Sequence, residues 1–214
     1  MPNLVPVLLL GIVLGMKHAT DADHVVAVTT IVTGQKRLAG ALRIGALWGI
    51  GHTLTIFLVG GAIILLRVVI PPRLGLGMEF AVALMLIGLG GYNLLGNRSA
   101  PSGTMAMARP LLVGIVHGLA GSAAIALLVL ATIDSMAWGF VYLLLFGAGT
   151  LVGMMAITAA MVAPMAAAVN RFARVNRTLQ LASGTLSLAF GLFLAVRIGF
   201  VDGLFSATPT WSPK

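Results

Sequence analysis

All four histidines of this 214-residue chain, and two of its five carboxylates, fall inside long apolar runs. Lys17-His18-Ala19-Thr20-Asp21-Ala22-Asp23-His24 interrupts the first run, His52 sits near the middle of the second between Gly51 and Thr53, and His117 lies in the fourth. An ionised side chain at the centre of a membrane-spanning helix costs about 2.5–3.5 kcal/mol, so this cluster needs compensation. Imidazole nitrogens and carboxylate oxygens suit a divalent first-row metal ion, and with no cysteine the set is a poor match for soft ions such as copper(I). On an intact helix His18, Asp21 and Ala22 would share a face while Asp23 turned away, so the spacing predicts a first helix broken around residues 19–23. Gly49 and Gly51 remove bulk beside His52 and would let the second helix approach closely.

The candidate metal ligands are therefore His18, Asp21, Asp23, His24 and His52. His117 is a candidate contribution from the second half, with structural, gating and ligating roles all open. The competing reading is a self-satisfied polar network, with Lys17 paired to Asp21 at i,i+4 and His52 serving as an interhelical hydrogen-bond donor. The eleven methionines are scattered over apolar segments and read as packing. The glycine groups 88, 90, 91 and 147, 149, 153 read as close-packing surfaces, and Glu79, Asp134 and Asp202 as charges at segment ends.

The elements that must carry these residues follow from composition. At 59% apolar and 8% charged, the chain lacks the polar surface a soluble domain shows to water, which marks an all-α integral membrane protein in the lipid bilayer. Apolar runs over about 4–32, 41–66, 76–95, 110–134, 138–163 and 179–200 give six expected spans. Residues 1–95 form a first three-helix unit with the metal motif, 96–109 a polar linker, 110–201 a second three-helix unit and 202–214 a tail. The first segment has no basic stretch before it and no small-residue cleavage site, so it is expected to stay as a helix rather than be removed.

The net charge of +8 is spread through the turns and gives no nucleic-acid face. Turns one, three and five hold Lys36, Arg37, Arg43, Arg98, Arg109, Arg171, Arg174 and Arg177, against Arg67, Arg73, Arg197 and Lys214 on the other side. The positive-inside bias puts the first group in the cytoplasm and both termini outside an inner (plasma) membrane. The halves also align with each other. Gly15 and His18 match Gly114 and His117 at an offset of 99, Gly51-His52-Thr53 matches Ala148-Gly149-Thr150 at 97, and Gly90 matches Gly191 at 101. Three spans per unit would invert the second copy, the plan of secondary transporters with a midplane site at a broken helix.

His18-Ala-Thr-Asp21-Ala-Asp23-His24-Val resembles the histidine, four residues, Asp-His signature of the nickel/cobalt transporter family. Leu47-Trp-Gly-Ile-Gly-His52-Thr is similar to that family's Gly-His-Thr/Ser element in the next helix. The resemblance implies a polytopic permease for nickel(II) or cobalt(II), with His18, Asp23 and His24 required and His52 contributing. Typical members have eight spans and an acidic Asp-Thr-Ala-Thr-Glu element in the second half. Here that position reads His117-Gly-Leu-Ala-Gly-Ser122, which is similar to a shorter, urease-accessory-type branch.

The expectation is thus a non-enzymatic permease with no cofactor, in which Ni²⁺ or Co²⁺ is the transported substrate. Uptake is favoured because no histidine-rich loop marks efflux, and no Gly-x4-Gly-Lys-Ser/Thr motif marks a nucleotide site. The alternatives are an efflux permease of the same superfamily and a non-transport membrane metalloprotein.

Overall fold

The computed structural model describes residues 4–33, 35, 37–66, 70–95, 104–119, 130, 132–133, 135–169 and 173–211, and their regular structure is entirely helical. The helices are α1 (Leu4–His18), α2 (Ala22–Val32), α3 (Leu38–Leu66), α4 (Pro72–Leu94), α5 (Thr104–Gly118), α6 (Met136–Val169) and α7 (Ala173–Val196), and a π-helical turn, Arg197–Val201, ends the last. Four helical stretches are long and apolar enough to cross a bilayer: α3, α4, Met136–Pro164 and Arg177–Val201. The α1–α2 pair, bent by 55°, is long and apolar enough only when taken together, as a broken span or a re-entrant loop. Helix α1 alone, at 15 residues, reaches only about 22 Å of the roughly 30 Å hydrocarbon layer, too short to cross by itself.

The expected break falls at the motif, and local hydrogen bonding explains it. After His18 the backbone tightens, with Thr20 N–H donating to Lys17 O at 2.8 Å and Asp21 N–H to His18 O at 3.1 Å. Asp21 is extended (φ −60°, ψ 148°) at the N-cap of α2, and Val25 N–H donates to Asp21 O to start the new helix. The Asp21 carboxylate makes no cap bond.

Two other boundaries differ from expectation. Helix α5 begins at Thr104 and holds Pro110 inside it, and α6 runs through Pro164 to Val169. Proline is tolerated within membrane helices because neighbouring groups satisfy the freed carbonyl, so it is a weaker stop there than in water. Residues 96–103 of the expected linker, and the end of the fourth segment near Asp134, lie outside the described residues.

Helices α3 and α6 pack along the centre, α4 pairs with α7, α1 lies on α6, and α5 lies on α3. Each of these pairs joins one half of the chain to the other. Lipid offers apolar surface as good as another helix, so close approach through small residues and polar links must hold the bundle. At Gly15 a Cβ would press on the Phe146 carbonyl and Thr150 N, and at Gly114 on the Trp48 carbonyl and His52 N. At Gly90 it would press on Gly184 O and Leu188 N, and at Gly191 on Ala83 O and Ile87 N. Gly147, Gly149 and Gly153 also sit against neighbouring helices, whereas a Cβ on Gly88 or Gly91 meets nothing within 4 Å among the described residues, so no packing contact appears there.

Polar side chains tie α2, α4 and α7. Asn93 Nδ2 donates to Thr30 O at 2.9 Å, Ser187 Oγ donates to Leu86 O at 2.8 Å, and Thr33 and Ser183 share a hydroxyl bond of 3.0 Å. Beyond the π turn, Gly203 takes φ +81°, a value that side chains resist, and the tail folds back so that Trp211 covers Gly75 and donates to Glu79 at 2.9 Å.

Candidate metal centre

The break gathers the motif residues against α3 and α5. His18 ends α1, Asp21 and Asp23 flank the start of α2, His24 lies in its first turn, His52 comes from mid-α3 and His117 from the end of α5. His24, His52 and His117 have no exposed surface and His18 has 5%. Ring centroids are 4.6 Å apart for His18 and His24, 5.0 Å for His24 and His52, and 4.1 Å for His24 and His117. Two groups of donors could each hold one ion: His18, His24 and His52, and Asp23, His24 and His117, with ligand atoms within 4.8 Å of one another in each. His24 belongs to both.

The carboxylates organise the rings. His18 Nδ1 lies 2.9 Å from Asp21 Oδ2, His24 Nδ1 lies 3.1 Å from Asp23 Oδ1, and His117 Nε2 lies 2.9 Å from Asp23 Oδ2. A carboxylate only accepts, so each of these ring nitrogens is assigned the proton and donates. In a neutral imidazole the opposite nitrogen then carries the lone pair: Nε2 of His18, Nε2 of His24 and Nδ1 of His117. His18 Nε2 stands 3.0 Å from His52 Nε2, which donates to it. The remaining nitrogens, His24 Nε2, His52 Nδ1 and His117 Nδ1, are buried with no hydrogen-bond partner among the described residues. A buried nitrogen left unpaired costs about 1–3 kcal/mol, so these three lone pairs are suited to receive a ligand. A carboxylate behind an imidazole that faces a metal is the usual way to fix its tautomer and raise its basicity.

Every residue anticipated as a ligand lies at this one place, with distinct positions. His18, His24 and His52 form one donor group. Asp23 falls in the second group with His117, the second-half histidine. Asp21 is in neither and bonds His18, not Lys17 four residues before it. Sequence reasoning did not single out Trp48, which stacks on His24 at 5.9 Å and 12°, or Phe146, whose ring lies 5.5 Å from His18. Their apolar surroundings gave no signal of proximity. Glu79 and Asp202, read as segment-end charges, line a cavity together with Asp21 and Asp23.

No family model and no solved structure matches the chain. Among curated proteins it is 34% identical over 220 residues to the urease accessory protein UreH of Bacillus sp. (strain TB-90), an alignment that covers 95% of this chain and 96% of that relative. At this identity and coverage the chain belongs to the nickel/cobalt transporter family.

Proposed function

We propose that this protein is a membrane permease that carries Ni²⁺ or Co²⁺ inward through the buried histidine cluster, within the shorter, urease-accessory-type branch of its family. The observation that carries the reading is the gathering of the buried histidines into two donor groups that share His24, each with ligand atoms within 4.8 Å of one another, while Asp21 and Asp23 hold one ring nitrogen of His18, His24 and His117. Nitrogen donors without thiolate suit borderline divalent ions such as nickel and cobalt, and the carboxylates supply the negative charge that offsets dehydration. An interior-negative potential adds about 2.3 kcal/mol per charge per 100 mV, or about 4.6 for a divalent ion, which suffices for uptake by a uniport. Binding falls as the medium is acidified, because a ligating imidazole must be neutral.

The architecture we propose is six spans in two inverted three-helix repeats, 1–95 and 110–201, joined by 96–109, with both termini outside. Reciprocal glycine contacts support it. Gly15 meets Phe146 and Thr150 on α6 as Gly114 meets Trp48 and His52 on α3, and Gly90 meets α7 as Gly191 meets α4. These pairs keep the sequence offsets of 99 and 101. They also match His52 with Thr150 at 98, one residue from the register read from sequence, so the two copies differ there by a ligand against a hydroxyl.

The test is uptake of radioactive nickel into cells or proteoliposomes, comparing the parent with His18→Ala, His24→Ala and His52→Ala at matched expression. Each variant is expected to lose nearly all accumulation, and unchanged accumulation in all three would refute the site. Loading the vesicles and measuring exit separates uptake from efflux.

A further inference from the structure

Four of the five carboxylates in the chain line one cavity of about 340 Å³. Asp21 and Asp23 form its floor at the α1–α2 break, Glu79 stands on α4, Asp202 follows the π-helical turn, and Arg197 is the cation on the wall. Four carboxylates against one guanidinium give a formal charge of −3 in a chain whose net charge is +8. Helix-end charges scattered by topology would not gather this way in a protein with 13 cations and five acids.

Acidity alone would not make this a site, but the cavity lining meets the histidines at Asp23. The Asp23 carboxylate bonds His24 and His117, whose other ring nitrogens are fully buried and have no partner among the described residues. The backbone is also irregular there. Helix α7 widens into the π turn Arg197–Val201, which turns Arg197 and Ile198 to the wall and leads into Asp202, and such turns recur at functional sites. Arg197 Nε lies 3.8 Å from Asp202 Oδ2 with both side chains partly exposed, a loose pair that contributes little and yields readily to another cation. Glu79 is held in place by the indole N–H of Trp211.

We infer that this cavity is a vestibule that gathers hydrated divalent cations. Glu79 and Asp202 draw the ion in with its water shell, Arg197 gives way, and Asp21 and Asp23 pass it to the imidazoles. The inference rests on the permease reading and extends it to residues outside the histidine centre. Oxygen donors that keep the ion's water do not tell nickel from magnesium, so the vestibule selects charge and the histidines select the metal.

The chain contains no cysteine, so Leu194→Cys places a single thiol on the cavity wall. Methanethiosulfonate reagents of opposite charge are applied to it in membranes. Relative to a free thiol, the cationic reagent is expected to react about tenfold faster than the anionic one, as field focusing in a charged cleft implies. That preference falls toward one when Glu79→Gln and Asp202→Asn are added. In nickel uptake the same pair of changes, without the cysteine, raises KM about tenfold with Vmax near the parent's, and millimolar Mg²⁺ raises KM in the parent alone. Equal labelling by the two reagents, or an unaltered KM, overturns the vestibule. Labelling needs no transport. Charge-selective labelling in a protein that moves no nickel overturns the permease reading and leaves the vestibule standing. Equal labelling in one that does move nickel overturns the vestibule alone.

Discussion

Asp23 gives one oxygen to a histidine beside it in sequence and the other to a histidine 94 positions away, so a single carboxylate sets two rings from different halves of the chain. Asparagine there would keep one acceptor, lose the charge and turn an amide N–H₂ toward a ring N–H. Nickel affinity of the purified protein, measured by calorimetry, is expected to fall about 100-fold for Asp23→Asn and about tenfold for Asp21→Asn, the range for partners that orient a metal-binding imidazole. Asp21 has the smaller effect because it orients one ring and its side chain is 39% exposed. An equal response of the two would contradict these unequal roles. At this scale the sequence was partly legible. Histidines and acids in apolar surroundings announce themselves, because their burial is expensive. Their partners do not, since the His18–Asp21 bond depends on the tightened backbone after His18, and the pairing of Asp23 with His117 depends on how α5 docks.

At the scale of helices, the break after His18 could be anticipated because an intact helix cannot aim His18 and Asp23 the same way, and α2 indeed restarts at Ala22. The ends of α5 and α6 could not, because proline rules learned in water lose force where neighbouring helices satisfy the backbone. Glycines show the same division. They are plainly packing residues as a class, but only the fold separates Gly15, pressed on the Phe146 carbonyl, from Gly88, which faces nothing within 4 Å among the described residues. Alanine favours a helix over glycine by up to about 1 kcal/mol, while overpacking costs about 1–3 kcal/mol. Gly15→Ala should therefore lower the thermal midpoint in detergent and weaken nickel binding by shifting α1, and Gly88→Ala should raise the midpoint slightly. A gain in stability at Gly15 would mean that α1 and α6 are not in close contact.

Across the whole molecule, side-chain contacts sort the turns to two ends. Arg43 reaches Met107 and Arg109 lies 4.5 Å over the Tyr92 ring, which joins the start of α3, the end of α4 and the start of α5. Arg73 bonds Ser206 O and Glu79 bonds Trp211, which joins the start of α4 to the tail. With the excess of basic residues taken as cytoplasmic, single cysteines at Gln35 and Thr104 should react only with reagents that cross the membrane, and one at Arg73 with impermeant reagents from outside. The opposite pattern would invert the protein and turn the acidic cavity to the cytoplasm. The two-copy plan proposed above rests on offsets that can be read in the sequence. What the offsets could not reveal is that the two halves of the chain pack on each other.

That interleaving has a consequence for biogenesis. When the ribosome has finished the first hundred residues, α1, α3 and α4 still lack the surfaces they will eventually press against, because those belong to α5, α6 and α7. The nascent segment must wait in or beside the translocon with its charged motif unsheltered, and a transcript truncated at the midpoint would yield a product for quality-control proteases, not a smaller working protein.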